Sequence, residues 1–172
     1  PILISLLLGG IIGSALNLEE RVEMLGEYLR RKFKSEEGSF VEGFLDASLL
    51  FAIGPLAILG SISDGMGSGI DQLILKSILD GFAAMAFASS LGWGVAASAI
   101  PVGIYQGIWT VVGLFLGNIL APYQVDAMTV CGGLLLLAIG LRLLKIKNIP
   151  VGNLLPSLFL APLIASLFNT FI

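Results

Sequence analysis

Over most of this chain the apolar positions do not recur with a period; they run together. Six stretches, residues 1–16, 40–62, 73–91, 95–120, 128–144 and 151–168, are almost continuously apolar. Between the first two lies a segment of another kind, 18–33, where Leu18, Val22, Leu25 and Leu29 return at steps of three or four among Glu and Arg. A run of about 20 apolar residues, rising 1.5 Å per residue, matches a hydrocarbon core of about 30 Å. A three-to-four step instead gathers the apolar side chains on one face of a helix, which then lies along the membrane surface. The pattern predicts an all-α polytopic membrane bundle, one domain of about six spans plus one amphipathic interfacial helix. The first run provides only about 24 Å of helix, so further residues are expected before Pro1.

Gly and Pro punctuate these spans. Gly54 and Pro55 interrupt the second, Pro101 lies in the fourth, and Pro156 and Pro162 lie in the sixth. Proline has no N–H to give to the preceding turn, and in lipid the carbonyl it abandons needs another partner. Gly54, Pro55, Pro101 and Pro156 are therefore candidate helix breaks. Gly9 with Gly13, Gly103 with Gly107, and Gly113 with Gly117 each stand four apart, a spacing that lets two helix backbones approach. Such pairs serve packing within one subunit or a homo-oligomer interface. GGIIGSALNL from Gly9 and GGLLLLAIGL from Gly132 share a double Gly, an Ala and a Leu at equal offsets. That is a coincidence of composition or the trace of a parallel repeat of the kind transporters use.

Composition agrees: 56% hydrophobic and 12% charged residues, with a mean hydropathy of +0.98, do not describe a soluble domain. The net charge of −3 matters less than where the cations fall. Arg30, Arg31, Lys32 and Lys34 form one cluster and Arg142, Lys145 and Lys147 the other, whereas 63–71 and 121–126 contain no Lys or Arg. Short basic segments stay cytoplasmic, and four spans between the clusters return the chain to the same side. Segments 30–34 and 142–147 are thus expected inside, and Trp93 at a membrane boundary. Lipid is the expected partner, and nucleic acid is not. Cys131 is the single cysteine and His is absent, so no disulfide, imidazole chemistry, metal site or cofactor is expected. Without a serine elbow or carboxylate cluster, neither is an enzyme.

Ionisable groups inside apolar runs are the candidate chemistry. A charged side chain at a helix centre costs about 2.5 to 3.5 kcal/mol on an insertion scale, and a Leu returns only about 0.3 to 0.6. Groups retained at that cost face a bundle interior or a watery path. Lys76 and Asp80 stand four apart in the third span, an ion-pair spacing on a helix. Lys76, about one turn inside the boundary, is expected to snorkel toward the headgroups. Asp80, deeper and shorter, is a structural partner or an ion or proton site. Gln106 lies mid-span and must bond something, as helix-to-helix glue or in a path. Asp46 is expected at the water-contacting start of its span. The Ser- and Gly-rich loop 61–71 reads as a tight external turn or as a half-helix entry toward Lys76 and Asp80. Asn153 and Pro156, after KIKNIP, suggest a similar entrance from inside.

The runs FVEGFLDASLLFAIGPLAILGSISDGMGSG, LKSILDGFAAMAFASSLGWGV, SAIPVGIYQG and GGLLLLAIGLRLLKIKNIPVGNLLPSL closely resemble the bacterial inner-membrane proteins of domain of unknown function 554, the YqgA-like and YdfK-like proteins. The resemblance covers nearly the whole chain from about Gly9, and those proteins are longer at the N-terminus. It implies a multi-pass protein of the bacterial inner membrane, loosely described as a possible transporter, and supplies no site residues. The residues favour a transporter or channel for an ion or small solute, through a path lined by Asp80, Lys76, Gln106 and Asp46. The alternative is a structural or regulatory membrane component that binds partners through its basic amphipathic helix.

Overall fold

The computed structural model describes residues 1–34, 38–116 and 120–171. Its elements are α1 (Ile2–Ala15), α2 (Leu18–Lys32), α3 (Phe40–Ile53), α4 (Pro55–Gly65), α5 (Asp71–Leu91), α6 (Gly94–Ala97), α7 (Ala99–Leu116), α8 (Pro122–Leu143), a 3-10 turn (Val151–Leu154) and α9 (Pro156–Phe171). No strand occurs among the described residues. Four segments are long and apolar enough to cross a membrane alone: Asp71–Leu91, Gly94–Phe115, Pro122–Leu143 and Val151–Asn169. Two pairs of shorter helices, α1 with α2 and α3 with α4, qualify only when each pair is taken together, which makes up to six spans.

The prolines explain where helices begin. Pro55, Pro122 and Pro156 are each the first residue of a helix, where the missing N–H would have had no partner anyway. Between α3 and α4 the chain bends by 62°. Pro101 falls in the first turn of α7 and cannot donate to Ala97, and the chain breaks there, at Ser98 between α6 and α7. Pro162 lies well inside a helix, and α9 continues through it. α8 starts six residues before the expected 128–144 span, because the Gln124 side chain folds back to accept the Ala121 N–H at 2.7 Å and caps the new end. Residues 121–126 are thus mostly helix rather than loop. Likewise α4 absorbs 61–65, and the turn expected outside shrinks to the residues around Gly67 and Gly69, whose φ of 69° and 129° suit glycine.

The packing groups the chain into two compact units. One contains Pro1–Arg21, Ile53–Pro55 and Leu120–Ile172. In it α1 and α8 both pack on α9 and on the 3-10 turn. A Cβ on Gly9 would lie 2.5 Å from Ser157 N, and one on Gly13 would collide with Asn153 O. The first GxxxG pair is therefore consumed inside the chain. Cys131 donates to Ser157 Oγ at 3.2 Å, and Gln124 Nε2 donates to Ser166 Oγ at 2.6 Å, tying α8 to α9 at two levels.

The other unit contains Val22–Ala52 and Leu56–Ile119. α3 is its buried axis. Phe40 and Phe44 pack with Leu29 of α2 and Ala97 of α6, while Ala47 and Phe51 pack with Val95, Val102 and the Ala83, Ala84 and Phe87 side of α5. Val22 and Leu29 of the expected stripe thus pack against the Phe40 and Phe44 cluster, whereas Leu25 is exposed along with Met24 and Tyr28. α4 and α7 touch backbone to backbone, since a Cβ on Gly65 would strike Thr110 O and one on Gly113 would strike Ile62 O. Gly117, the partner of Gly113 in the sequence pattern, lies outside the described residues, as do Ser35, Glu36 and Glu37. Gly103 and Gly107 face open space.

Candidate ion site and a buried charge clasp

Burial on α5 is confined to one stripe. Leu73, Lys76, Asp80, Ala83, Ala84, Phe87 and Leu91 are the residues turned at least partly inward, at helical steps of three and four. The opposite face carries Ile74, Leu75, Ile78, Leu79, Phe82 and Met85, all exposed. Both ionisable groups of the span's interior thus lie on the single face that meets protein. Lys76 Nζ donates to Asp80 Oδ2, and the ammonium stands 6.0 Å from the centroid of the Phe51 ring on α3. Its side chain is 7% exposed and that of Asp80 31%.

That order reverses what depth along the span predicts, a lysine reaching outward and an enclosed aspartate. Instead the lysine stem runs inward along the packed stripe, toward an aromatic face that attracts cations. Its carboxylate partner is the more open of the two. Asp80 is the tenth of the 21 residues of α5, close to the midpoint of a helix about as long as the hydrocarbon core is thick. A buried ammonium without a partner would cost several kcal/mol, so the ion pair and the ring together make its position tenable.

The other two sequence candidates stand on other helices than this pair. Gln106 is half-buried on α7, and among the described residues no hydrogen bond joins it to Lys76 or Asp80. Its neighbour Tyr105 meets Trp109 edge to face, with centroids 6.4 Å apart and planes at 76°. Asp46, expected in contact with water, is 4% exposed because α3 is enclosed along nearly its whole length. Two of the four candidates, Lys76 and Asp80, are thus joined in an ion pair.

A second cluster is one that sequence reasoning misses. Glu19, in the first turn of α2, is 9% exposed. Its Oε1 accepts from Arg142 Nη1 in the last turn of α8, and its Oε2 accepts the Gly152 N–H at 2.8 Å. The Glu19 N–H, one of the donors a helix start leaves unused, is capped by Asn153 Oδ1 at 3.0 Å. Gly152 has to be small, because a Cβ there would lie 2.9 Å from Glu19 Cα. A Glu opening an amphipathic helix and an Arg in a basic segment both read as solvated charges, and nothing local reveals a partner 123 residues away. The one available sign is that Arg142 directly follows a long apolar run, inside the helix rather than beyond its end.

Comparison with known proteins gives a consistent background. Residues 1–166 match the family described as "Protein of unknown function (DUF554)". The chain is 33% identical over 173 residues to the uncharacterized membrane protein YdfK of Bacillus subtilis (strain 168), covering 99% of this chain and 73% of that protein. It is 37% identical over 162 residues to the uncharacterized protein YqgA of Escherichia coli (strain K12), covering 90% of this chain and 68% of that one. No solved structure matches.

Proposed function

We propose that this chain, which belongs to the DUF554 family of membrane proteins, moves an ion or small solute across the bilayer, with Asp80 and Lys76 at the centre of the path. The observation that carries this reading is the asymmetric ion pair at mid-span. A carboxylate that is about one-third open halfway along a membrane helix cannot rest against acyl chains without the insertion cost of a charge. Water or a passing solute is the natural occupant of its open side. The buried ammonium behind it offers a countercharge that an arriving cation or proton can displace.

Three features of the fold support the same reading. Transporters place substrate and coupling-ion sites near the bilayer midplane, beside discontinuous helices. Here α3 and α4 are broken at Gly54, α6 and α7 at Ser98, and the last span at the 3-10 turn before Pro156. Gln106 on α7 is a further polar group for the path. The positions of the two basic clusters support a cytoplasmic side for 30–34 and 142–147, and the bacterial relatives support the inner membrane as the location. We assign no enzymatic step.

The test is flux. Purified protein in liposomes, screened against monovalent and divalent ions, protons and small neutral and charged solutes, should pass at least one, and Asp80→Asn should abolish that flux while the variant stays folded. Absence of flux across the screen would favour a structural or regulatory membrane component.

A further inference from the structure

At the C-terminal end of α2 an apolar slot of about 500 Å³ is lined by Phe33, Phe40, Trp93, Ala96, Ala97 and Ile100. We propose that it holds an acyl chain of an anionic phospholipid whose headgroup rests on Arg31, Lys32 and Lys34. The volume falls within the range of ligand pockets, about 300 to 1,000 Å³. None of the six lining side chains offers a carboxylate, an amide or a hydroxyl, which makes a hydrocarbon tail a better fit than a polar solute.

The level of the slot in the membrane follows from the length of α5. Its 21 residues extend about 31 Å, one hydrocarbon thickness, so Trp93, two residues beyond its end, lies at the interface, where tryptophan is favoured. Trp93 is 73% exposed and Phe33, on the facing wall, 57%. Because Phe33 shares the slot with Trp93, the residues on either side of it, Lys32 and Lys34, are carried to headgroup level.

Charge then selects the headgroup. Glu19, Glu20 and Glu23 fall in the early turns of α2, away from the slot, and Glu27 pairs with Arg30 at 3.0 Å. That leaves Arg31, Lys32 and Lys34, all exposed, against the two carboxylates of Glu36 and Glu37, which lie outside the described residues. A cationic end on an amphipathic helix beside an apolar slot matches both halves of an acidic lipid. This site stands or falls independently of the transport proposal, since a lipid can bind whether or not a solute crosses.

The chain has two tryptophans, so Trp109→Phe leaves Trp93 as the sole reporter. That variant, in detergent micelles, is titrated with phosphatidylglycerol or phosphatidylcholine carrying brominated acyl chains, which quench tryptophan when they touch it. Half-quenching is expected at a mole fraction at least threefold lower for phosphatidylglycerol. In the Trp109→Phe background, the combined Arg31→Gln, Lys32→Gln and Lys34→Gln change should bring that ratio to about one. Ala96→Phe, which fills the slot from an exposed position, should weaken quenching by both lipids, and Phe33→Ala, which removes a wall, gives a second check. Equal quenching by the two lipids would overturn the proposal. So would a preference untouched by both slot variants, which would mark a surface charge effect. Trp93 emission that shifts with protein concentration and resists both lipids would point to a second copy in the slot and overturn it too.

Discussion

Arg142, in the last turn of α8, donates to the carboxylate of Glu19, in the first turn of α2, and both side chains are 12% exposed. Burial at both ends makes this an interaction whose halves depend on one another. Taking two charges out of water costs several kcal/mol, and the cost is met only while each has the other.

Removing one half should therefore harm more than removing both. Arg142→Met is expected to destabilise the protein by about 3 kcal/mol, because it leaves the Glu19 carboxylate with the Gly152 N–H alone. The double variant Glu19→Gln with Arg142→Met should recover a substantial part of that loss. Thermal unfolding in detergent measures both, and simple additivity of the two changes would show that the charges are solvated in solution.

The Lys76 and Asp80 pair should respond asymmetrically. Asp80→Asn strands an ammonium whose side chain is 7% exposed, whereas Lys76→Met strands a carboxylate that is 31% open and can be hydrated. The first change is expected to lower the unfolding midpoint more than the second, by the equivalent of about 1 to 2 kcal/mol, and Lys76→Met should rescue Asp80→Asn. The reverse order would mean that the lysine snorkels outward.

Glycine tolerance should follow packing rather than motif. Gly13→Leu has nowhere to place its side chain, since Asn153 O fills the position of its Cβ, and little folded protein should accumulate. Gly103→Leu meets open space and should leave the midpoint unchanged or raise it by up to about 1 kcal/mol, as helix propensity alone would dictate. Expression and size-exclusion profiles of the two variants provide the comparison. Loss of a dimer in Gly103→Leu would instead show that the open stripe is an interface.

Gln124 holds the start of α8 with one end of its amide and α9 with the other, through Ala121 N and Ser166 Oγ. Gln124→Leu should cost about 1 to 3 kcal/mol, and Ser166→Ala less, because the other Gln124 bonds remain. Equal losses from the two would show that the cap contributes nothing.

The spans are legible in the sequence because hydrocarbon imposes a length and an apolar composition that no other environment requires, and the spacing of Lys76 and Asp80 is legible because a helix fixes what lies four residues on. Which way each side chain turns cannot be read in the same way. The depth of Lys76 along its span suggests snorkelling, but depth says nothing of rotation about the helix axis, and the inner stripe of α5 claims it. Asp46 looks exposed because it begins a span, and is enclosed because α3 is surrounded. Glu19 and Arg142 are invisible for a further reason: each is ordinary in its own segment, and their meaning exists only once the ends of α2 and α8 meet. The prolines mark the breaks in α3–α4, α6–α7 and the last span, yet Pro162 marks none, since α9 continues past it.

Gly152 and Asn153 are two adjacent residues, yet they meet α1 at Gly13 and α2 at Glu19. Any motion that draws the 3-10 turn aside would at one stroke uncover Gly13, unseat the cap on α2 and strip a donor from the Glu19 carboxylate. Contacts gathered on two adjacent residues depend on one another, so this corner pins the ends of α1 and α2 to a single point of the chain.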